Sequence, residues 1–393
     1  MANVLITFES YEPTNQETFK AFSIIQSKGY INLRSKRCID IKADDLDWCD
    51  IVYSIRSTSS LEASLSTYAK KLGKYWMMLL DDDFLSLGKN YGQDGQGYRE
   101  ERKKALKKVL MNTDCLLTAN DNLTEKYAKY GNYKRTYKGE TAVELDKLVT
   151  PQAASDRVKI VYYVNDGTTT MIDRYLKPVF KRLAEKYPGR ISLFFMAVQP
   201  DLHELDKSLD IHYVPHMGFD EFLKYIADQH FDIGLAPLDD NGFSKFKYIN
   251  KFVEYTRAGV AGIYSNCELY KSVIKDRENG LICDNTTDGW MNALSDLIED
   301  DKLKVSIAKG AQTYIRENMS TEAVINSIIT AIPELKEYKA PARKASQIVL
   351  ILFHLEYWCF RIRGWIFTAY NSIRTGNLKG LFRRAARKIR REG

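Results

Sequence analysis

The sequence predicts an α/β protein of two parallel, doubly wound domains with a basic helical tail. Three observations carry this. Short apolar runs alternate with helix-length amphipathic stretches twice, over residues 1–150 and again over 157–332. A polar stretch, residues 131–156 with Pro151-Gln152-Ala153-Ala154-Ser155, separates the two series. Positive charge gathers at one end: from Pro341 onward twelve lysines and arginines face two glutamates. The net charge of +7 therefore divides into +10 on residues 341–393 and −3 on the rest.

At 393 residues, 45% hydrophobic and 28% charged, the chain is long enough for two domains with full cores and an extra segment. Its six cysteines are scattered, with no C-x-x-C and no histidines at ligand spacing, so a zinc site and a disulfide framework are not expected and a reducing compartment fits. Residues 1–8 carry no basic region before their apolar run and read as a first strand, not a signal peptide.

In the first series, residues 3–8, 50–54, 75–80 and 115–118 are apolar enough for strands. Residues 18–27, 61–72, 98–110 and 123–130 read as helices between or after them. In the second, strands are expected at 158–164, 191–198, 211–214, 232–238 and 260–264. Helices are expected at 171–187, 220–229, 246–258, 294–298, 303–318 and 321–332.

The richest stretch runs from residue 231 to 283. A buried strand stops at Pro237 and the Asp239-Asp240-Asn241-Gly242 cluster, an apolar helical pattern ends at Gly259, and a second strand ends at Ser265. Strand, helix and strand make one right-handed crossover, and ligands of such sheets bind outside the carboxyl ends of the strands. Lys247, Lys251 and Glu254 stand at i, i+4 and i+7, on one helix face, with Ser244 and Lys245 at the helix start. Lysines and free N–H groups suit a diphosphate, and Glu254 suits ribose hydroxyls. The same spacing also fits a solvated, salt-bridged face.

Upstream, Asn165-Asp166-Gly167-Thr168-Thr169-Thr170 lies between a strand and a helix. Gly167 and Thr168 are candidates for a phosphate loop, or for an ordinary turn with a threonine cap. Asp81-Asp82-Asp83 follows an apolar strand. It reads as a D-x-D metal motif, as a pair of acids near an acceptor with Asp82 the candidate general base, or as acids at a helix start.

The order Ser244-Lys245, Lys251-Phe252-Val253-Glu254-Tyr255, Ala258-Gly259, Tyr264-Ser265 and Asn279-Gly280-Leu281 resembles the donor half of GT-B glycosyltransferases, well over roughly 157–320 and loosely before. The resemblance implies two Rossmann-like domains facing a cleft, a nucleotide-diphosphate sugar as donor, Glu254 on its ribose, and Tyr255 and Ser265 in the same site. Two positions depart from the family pattern: Phe246 stands where many retaining members carry a second glutamate, and no proline follows Gly259. With Lys245, Lys247, Lys251 and a helix terminus to carry the diphosphate charge, no metal cofactor is expected.

In the tail, His354, Glu356, Arg361 and Arg363 interrupt the aromatic run 348–370 on two opposite sides, so it is neither a clean spanning helix nor a clean amphipath. Residues 378–391 form a basic amphipath suited to anionic lipid. Trp358, Trp365, Phe382, Arg383, Arg384, Arg387 and Lys388 are the candidate membrane-binding residues, and lipid fits them better than nucleic acid. Together these readings give a glycosyltransferase on the inner face of a bacterial membrane, cytoplasmic and peripheral, with a lipid-linked or oligosaccharide acceptor in surface polysaccharide synthesis. A non-catalytic membrane scaffold with a degenerate nucleotide-sugar domain and a metal-dependent D-x-D enzyme are the alternatives.

Overall fold

A computed structural model describes residues 1–10, 13–86, 96–152, 157–164, 168–205, 208–240, 242 and 244–374. Gly167, Phe382, Arg383, Arg384, Arg387 and Lys388 lie outside the described residues, and of Trp365 only the helical backbone is described. Two compact units divide the chain: residues 1–138 with the segment from Ile329 onward, and residues 139–328.

The first unit holds β1 (Ala2–Phe8), α1 (Pro13–Ser27), β2 (Ile31–Arg37), α2 (Ala43–Trp48), β3 (Ile51–Ile55), α3 (Ser60–Lys71), β4 (Tyr75–Leu80), α4 (Gln96–Asn112), β5 (Cys115–Thr118), α5 (Asp121–Ala128) and β6 (Arg135–Lys138). All six strands are parallel, in the order β2-β1-β3-β4-β5-β6. The central strands are covered on both faces, which is why they read as near-continuous apolar runs. Side chains set the helix starts: Ser59 Oγ accepts from Glu62 N ahead of α3, and Asn120 Oδ1 from Leu123 N at α5.

In this unit two strands were not expected, nor was Leu281–Cys283 in the second. Along β2 only Ile31 is buried, because it is an edge strand whose outward residues are Asn, Arg, Ser and Lys. The other, β6, falls inside the polar stretch 131–156; Arg135 is held there by Glu334, its Nε 2.7 Å from Oε2.

The second unit contains β7 (Val158–Tyr163), a π turn (Ile172–Leu176) running into α6 (Lys177–Lys186), β8 (Ile191–Met196), β9 (Asp210–Val214), α7 (Phe219–Gln229), β10 (Ile233–Ala236), α8 (Asn250–Arg257), β11 (Ala261–Ser265), α9 (Glu268–Lys271), β12 (Leu281–Cys283), α10 (Thr287–Glu299) and α11 (Asp301–Asn318). The strand order is β12-β11-β10-β7-β8-β9, again all parallel. Helices α12 (Thr321–Ala331), α13 (Glu334–Glu337) and α14 (Gln347–Arg374) follow in sequence.

In each sheet the winding reverses at one place: between β1 and β3 in the first, and between β7 and β10 in the second. The carboxyl ends of the flanking strands open a crevice at such a reversal, and ligands of doubly wound sheets sit there. The sequence places its candidate residues on these two edges.

Candidate functional site

At the reversal of the second sheet, β10 must pass close under α8. Gly234 allows this, since a Cβ on it would lie 2.6 Å from the ring of Tyr255. Tyr255 is buried there and donates its hydroxyl to the Leu235 carbonyl at 2.8 Å. Burial holds its phenol well above the usual pKa. Tyr255 thus serves as the wedge that sets the height of α8 on the sheet. Gly259, with φ +70°, ends the helix in the left-handed region, where its missing side chain leaves room for the Val149 carbonyl.

The chemistry lies one turn along. Glu254 is buried, and the hydroxyl of Tyr163, the last residue of β7, donates to its Oε2. Lys251 stands over the ring of the same tyrosine, 3.6 Å from the centroid, and donates to the Tyr163 carbonyl. A cation, a carboxylate and a phenol therefore converge where β7 ends. An ammonium over an aromatic face gains from the ring quadrupole, and a buried carboxylate must accept hydrogen bonds. Both groups are suited to a ligand that brings anionic oxygens and hydroxyls.

The loop after β10 is fixed by a closed set of hydrogen bonds. Leu238 N donates to Ser265 Oγ (2.8 Å), Ser265 Oγ to Asn285 Oδ1 (2.6 Å), and Asn285 Nδ2 back to the Leu238 carbonyl (2.9 Å). Trp290 Nε1 also donates to Asn285 Oδ1, at 3.2 Å. Ser265 thus satisfies the backbone of the loop that leaves β10. Asp239, one residue on, pairs with Arg174 and accepts from the Tyr175 hydroxyl, tying the loop to the π turn before α6.

The remaining predicted donor residues sit differently. Helix α8 begins at Asn250, not near Phe246; Ser244–Phe246 is a separate 3₁₀ turn, and Ile249 has non-helical backbone. Lys247 is therefore exposed ahead of the helix, off the face that carries Lys251 and Glu254, and Ser244 and Lys245 are not at the α8 amino terminus. Ser244 is buried, its carbonyl accepting from Lys247 N at 3.1 Å, and the Lys245 ammonium lies 5.3 Å from the Phe246 ring centroid. Thr168 is exposed just before the helix, while neighbouring Thr169 donates to Asp173.

In the first unit the three aspartates after β4 each have a cationic partner. Arg56 Nε lies 2.8 Å from Asp81 Oδ1 and its Nη2 3.4 Å from Asp82 Oδ2, while Thr14 donates to Asp81 at 2.8 Å. Asp83 is fully buried, paired with Lys126 and accepting from the Tyr127 hydroxyl at 3.2 Å. Asp81 and Asp83 thus face different cations, which a metal would have to displace. Among the described residues no group of three or more His, Cys, Asp and Glu is placed to hold a metal. Asp82 is the most exposed of the three, its side chain 33% accessible. Arg56 itself is left-handed, φ +53°, at the end of β3.

Beside it, Glu9 at the end of β1 accepts from Thr58 N and Ser59 N and pairs with Arg102. Glu62, three residues into the α3 cap, would ordinarily reach back to Ser59 N. Glu9 holds that N–H, and Glu62 is buried instead. Neither of its oxygens has a hydrogen-bond partner among the described residues, and the same holds for the hydroxyls of Thr7 and Ser54. Burial pushes the Glu62 carboxyl up to about 8.

Sequence reasoning missed Tyr163, Asn285, Arg56 and Glu62. The Tyr162-Tyr163 pair at a strand end was the one signal for the first, and Ser59-x-x-Glu62 for the last.

No family model matches the chain, and no curated protein matches it by sequence. Solved structures do match by shape. The Anabaena protein HepE, determined with UDP and glucose, superposes with a TM-score of 0.59 at 10% identity, over 85% of this chain and 100% of that one. Sucrose-phosphate synthase from Thermosynechococcus elongatus gives 0.58 at 11%, over 85% and 99%. The lipopolysaccharide outer core galactosyltransferase WaaB gives 0.54 at 12%, over 84% and 99%. The chain has the GT-B fold: two parallel α/β units, as the sequence predicts, each with a sheet of six strands.

Proposed function

We propose that the chain is a glycosyltransferase that binds a nucleotide-diphosphate sugar in its second unit and passes the sugar to a saccharide acceptor. One observation carries this most: Lys251 and Glu254, a turn apart on α8, meet on Tyr163 at the reversal of the sheet. In this reading Glu254 takes the ribose hydroxyls. Lys251 faces the diphosphate, with Ser244, Lys245 and Lys247 close by in sequence, and Gly167 and Thr168 between β7 and the next helix in sequence complete the assignment. Tyr255 and Ser265 hold the helix and the loop in place. The solved GT-B proteins with UDP bound, HepE among them, support the donor class.

The chemistry asked of the donor side is charge stabilisation of a leaving nucleoside diphosphate, which lysines and oriented N–H groups supply in a pocket poor in water. No metal is required for that charge. Asp82 is the candidate base for the acceptor hydroxyl and would act once freed from Arg56. The acceptor we assign is a lipid-linked saccharide on the way to a surface polysaccharide, handled at the cytoplasmic face of the inner membrane. The support for that location is the +10 tail. Among the described residues no helix is long and apolar enough to cross a membrane.

The test is release of nucleoside diphosphate from a panel of UDP-, GDP- and ADP-sugars by full-length protein, with and without a lipid-linked acceptor extract. Turnover of one donor, raised by the acceptor, is expected. Nucleotide binding without turnover of any donor would favour the non-catalytic scaffold.

A further inference from the structure

We infer that the outward face of α14 is a lipid-docking surface that holds the first unit on the bilayer in one fixed orientation. This deepens the membrane placement just proposed and rests on it. The run 348–370 is irregular as a sequence, and its packing resolves the irregularity: α14 has two apolar faces.

One face belongs to the protein. Leu350 is fully buried, and the Phe353 ring meets Tyr68 of α3 edge-on at 5.9 Å. The chain before the helix is fastened to the same unit along its length. Ala340 N and Lys339 Nζ reach the Asp50 carboxylate at 3.0 and 2.9 Å, Ala345 N reaches Asp47 at 2.7 Å, and Ser346 N reaches the Tyr68 hydroxyl at 2.7 Å. Ala43 N donates to the Gln347 side chain at 2.9 Å. Pro341 packs where Gly73, with φ +76°, would carry a Cβ. The helix start is therefore fastened to the first unit.

Among the described residues nothing covers the other face. Ile348, Leu352, Leu355, Ile362 and Ile366 recur at helical spacing, and Trp358 widens the stripe; all are 48–71% exposed. Single exposed apolar residues are ordinary, but a continuous stripe of this length marks an interaction surface. By the helical angle His354 and Glu356 fall on opposite borders, so the six exposed residues named are flanked, not interrupted, by them.

Charge selects the occupant. A second copy on this face would bring two +10 segments together, whereas an anionic bilayer answers the same charge. The sequence beyond the helix has the matching design, an apolar line of Leu378, Leu381, Phe382, Ala385 and Ile389 against seven basic residues. A helix that lies in the interface, packed on protein above and on acyl chains below, fits both faces.

The test uses full-length protein with vesicles of phosphatidylcholine alone or mixed with phosphatidylglycerol, at low and high salt. Wild type should bind neutral vesicles in high salt through the stripe, with added salt-sensitive binding to anionic ones. Leu352→Asp/Leu355→Asp/Ile362→Asp changes exposed positions only and should weaken neutral-vesicle binding by about a hundredfold or more. Replacing Arg383, Arg384, Arg387 and Lys388 by Gln should remove only the salt-sensitive part. Trp358 emission should shift to the blue on vesicles and be quenched by brominated lipid, a readout independent of how the triple variant folds. Nucleotide protection, measured in parallel, should be equal in all three proteins, so a failed donor site is seen separately. Neutral-vesicle binding by the triple variant equal to wild type would overturn the inference. So would a wild-type dimer that the triple variant converts to monomer, or Trp358 emission that lipid does not change.

Discussion

The hydroxyl of Tyr163 donates to the carboxylate of Glu254, joining the end of β7 to the middle of α8 across the reversal of the second sheet. It orients the one buried acid of α8 from the strand side, while Lys251 covers the same ring. Tyr163→Phe should therefore destabilise the second unit by about 1–3 kcal/mol, the usual cost of leaving a buried charged acceptor short of a donor. It should also weaken nucleotide binding about tenfold without abolishing it. Urea titration and calorimetric binding check the two parts. A variant as stable as wild type, with unchanged affinity, would remove Tyr163 from the site.

Glu62 makes stability depend on pH in a defined direction. Its folded-state pKa is raised from 4.5 to about 8, so the folded protein keeps a proton that the unfolded chain has released. Stability from this group is complete below pH 4.5 and is lost as pH rises to about 8, at roughly 1.4 kcal/mol per unit. Glu62→Gln should flatten that slope and be more stable than wild type at pH 8. The check is the urea midpoint of both proteins from pH 5 to pH 8.5; parallel curves would show that the carboxyl is ionised in the fold.

Lys126 neutralises the fully buried Asp83. Removing one partner of a buried pair costs more than the pair contributes, because the other charge stays behind. Lys126→Met should cost about 3 kcal/mol, and Lys126→Met/Asp83→Asn should recover most of it. A double mutant no better than the single would show that the two do not act as a pair.

Because Asp81 and Asp83 face Arg56 and Lys126, donor turnover should persist in a chelator. Loss of turnover in EDTA, with recovery on manganese but not magnesium, would assign the acids to a metal after all. Asp82→Asn should lower turnover a hundredfold or more at unchanged nucleotide affinity, the signature of a general base.

Much of this was legible beforehand. The bounds of β4 and β5 agree with the sequence reading, since β4 is apolar throughout and β5 is an apolar run closed by Thr118. The edge strand β2 was not, because an exposed strand carries no apolar alternation. The spacing puts Lys251 and Glu254 on one helix face, where α8 carries them, but it does not give the start of α8: Phe246 and Ile249 fit the helical period, while Ser244–Phe246 is a 3₁₀ turn and Ile249 has non-helical backbone. Tyr163 and Glu62 depend on contacts between segments 91 and about 50 residues apart, which no local pattern encodes. The two faces of α14 became separable only when one was seen to be packed.

The central claim is that Glu254 holds the ribose of a nucleotide donor. Calorimetric titration of wild type and Glu254→Gln with UDP, GDP and ADP tests it most directly, since Gln keeps the size of the side chain and removes its charge. At least one nucleotide should bind wild type with micromolar Kd and bind Glu254→Gln at least about tenfold more weakly, at equal folded stability. Equal affinity in the two proteins, or no binding of any nucleoside diphosphate to wild type, would contradict it.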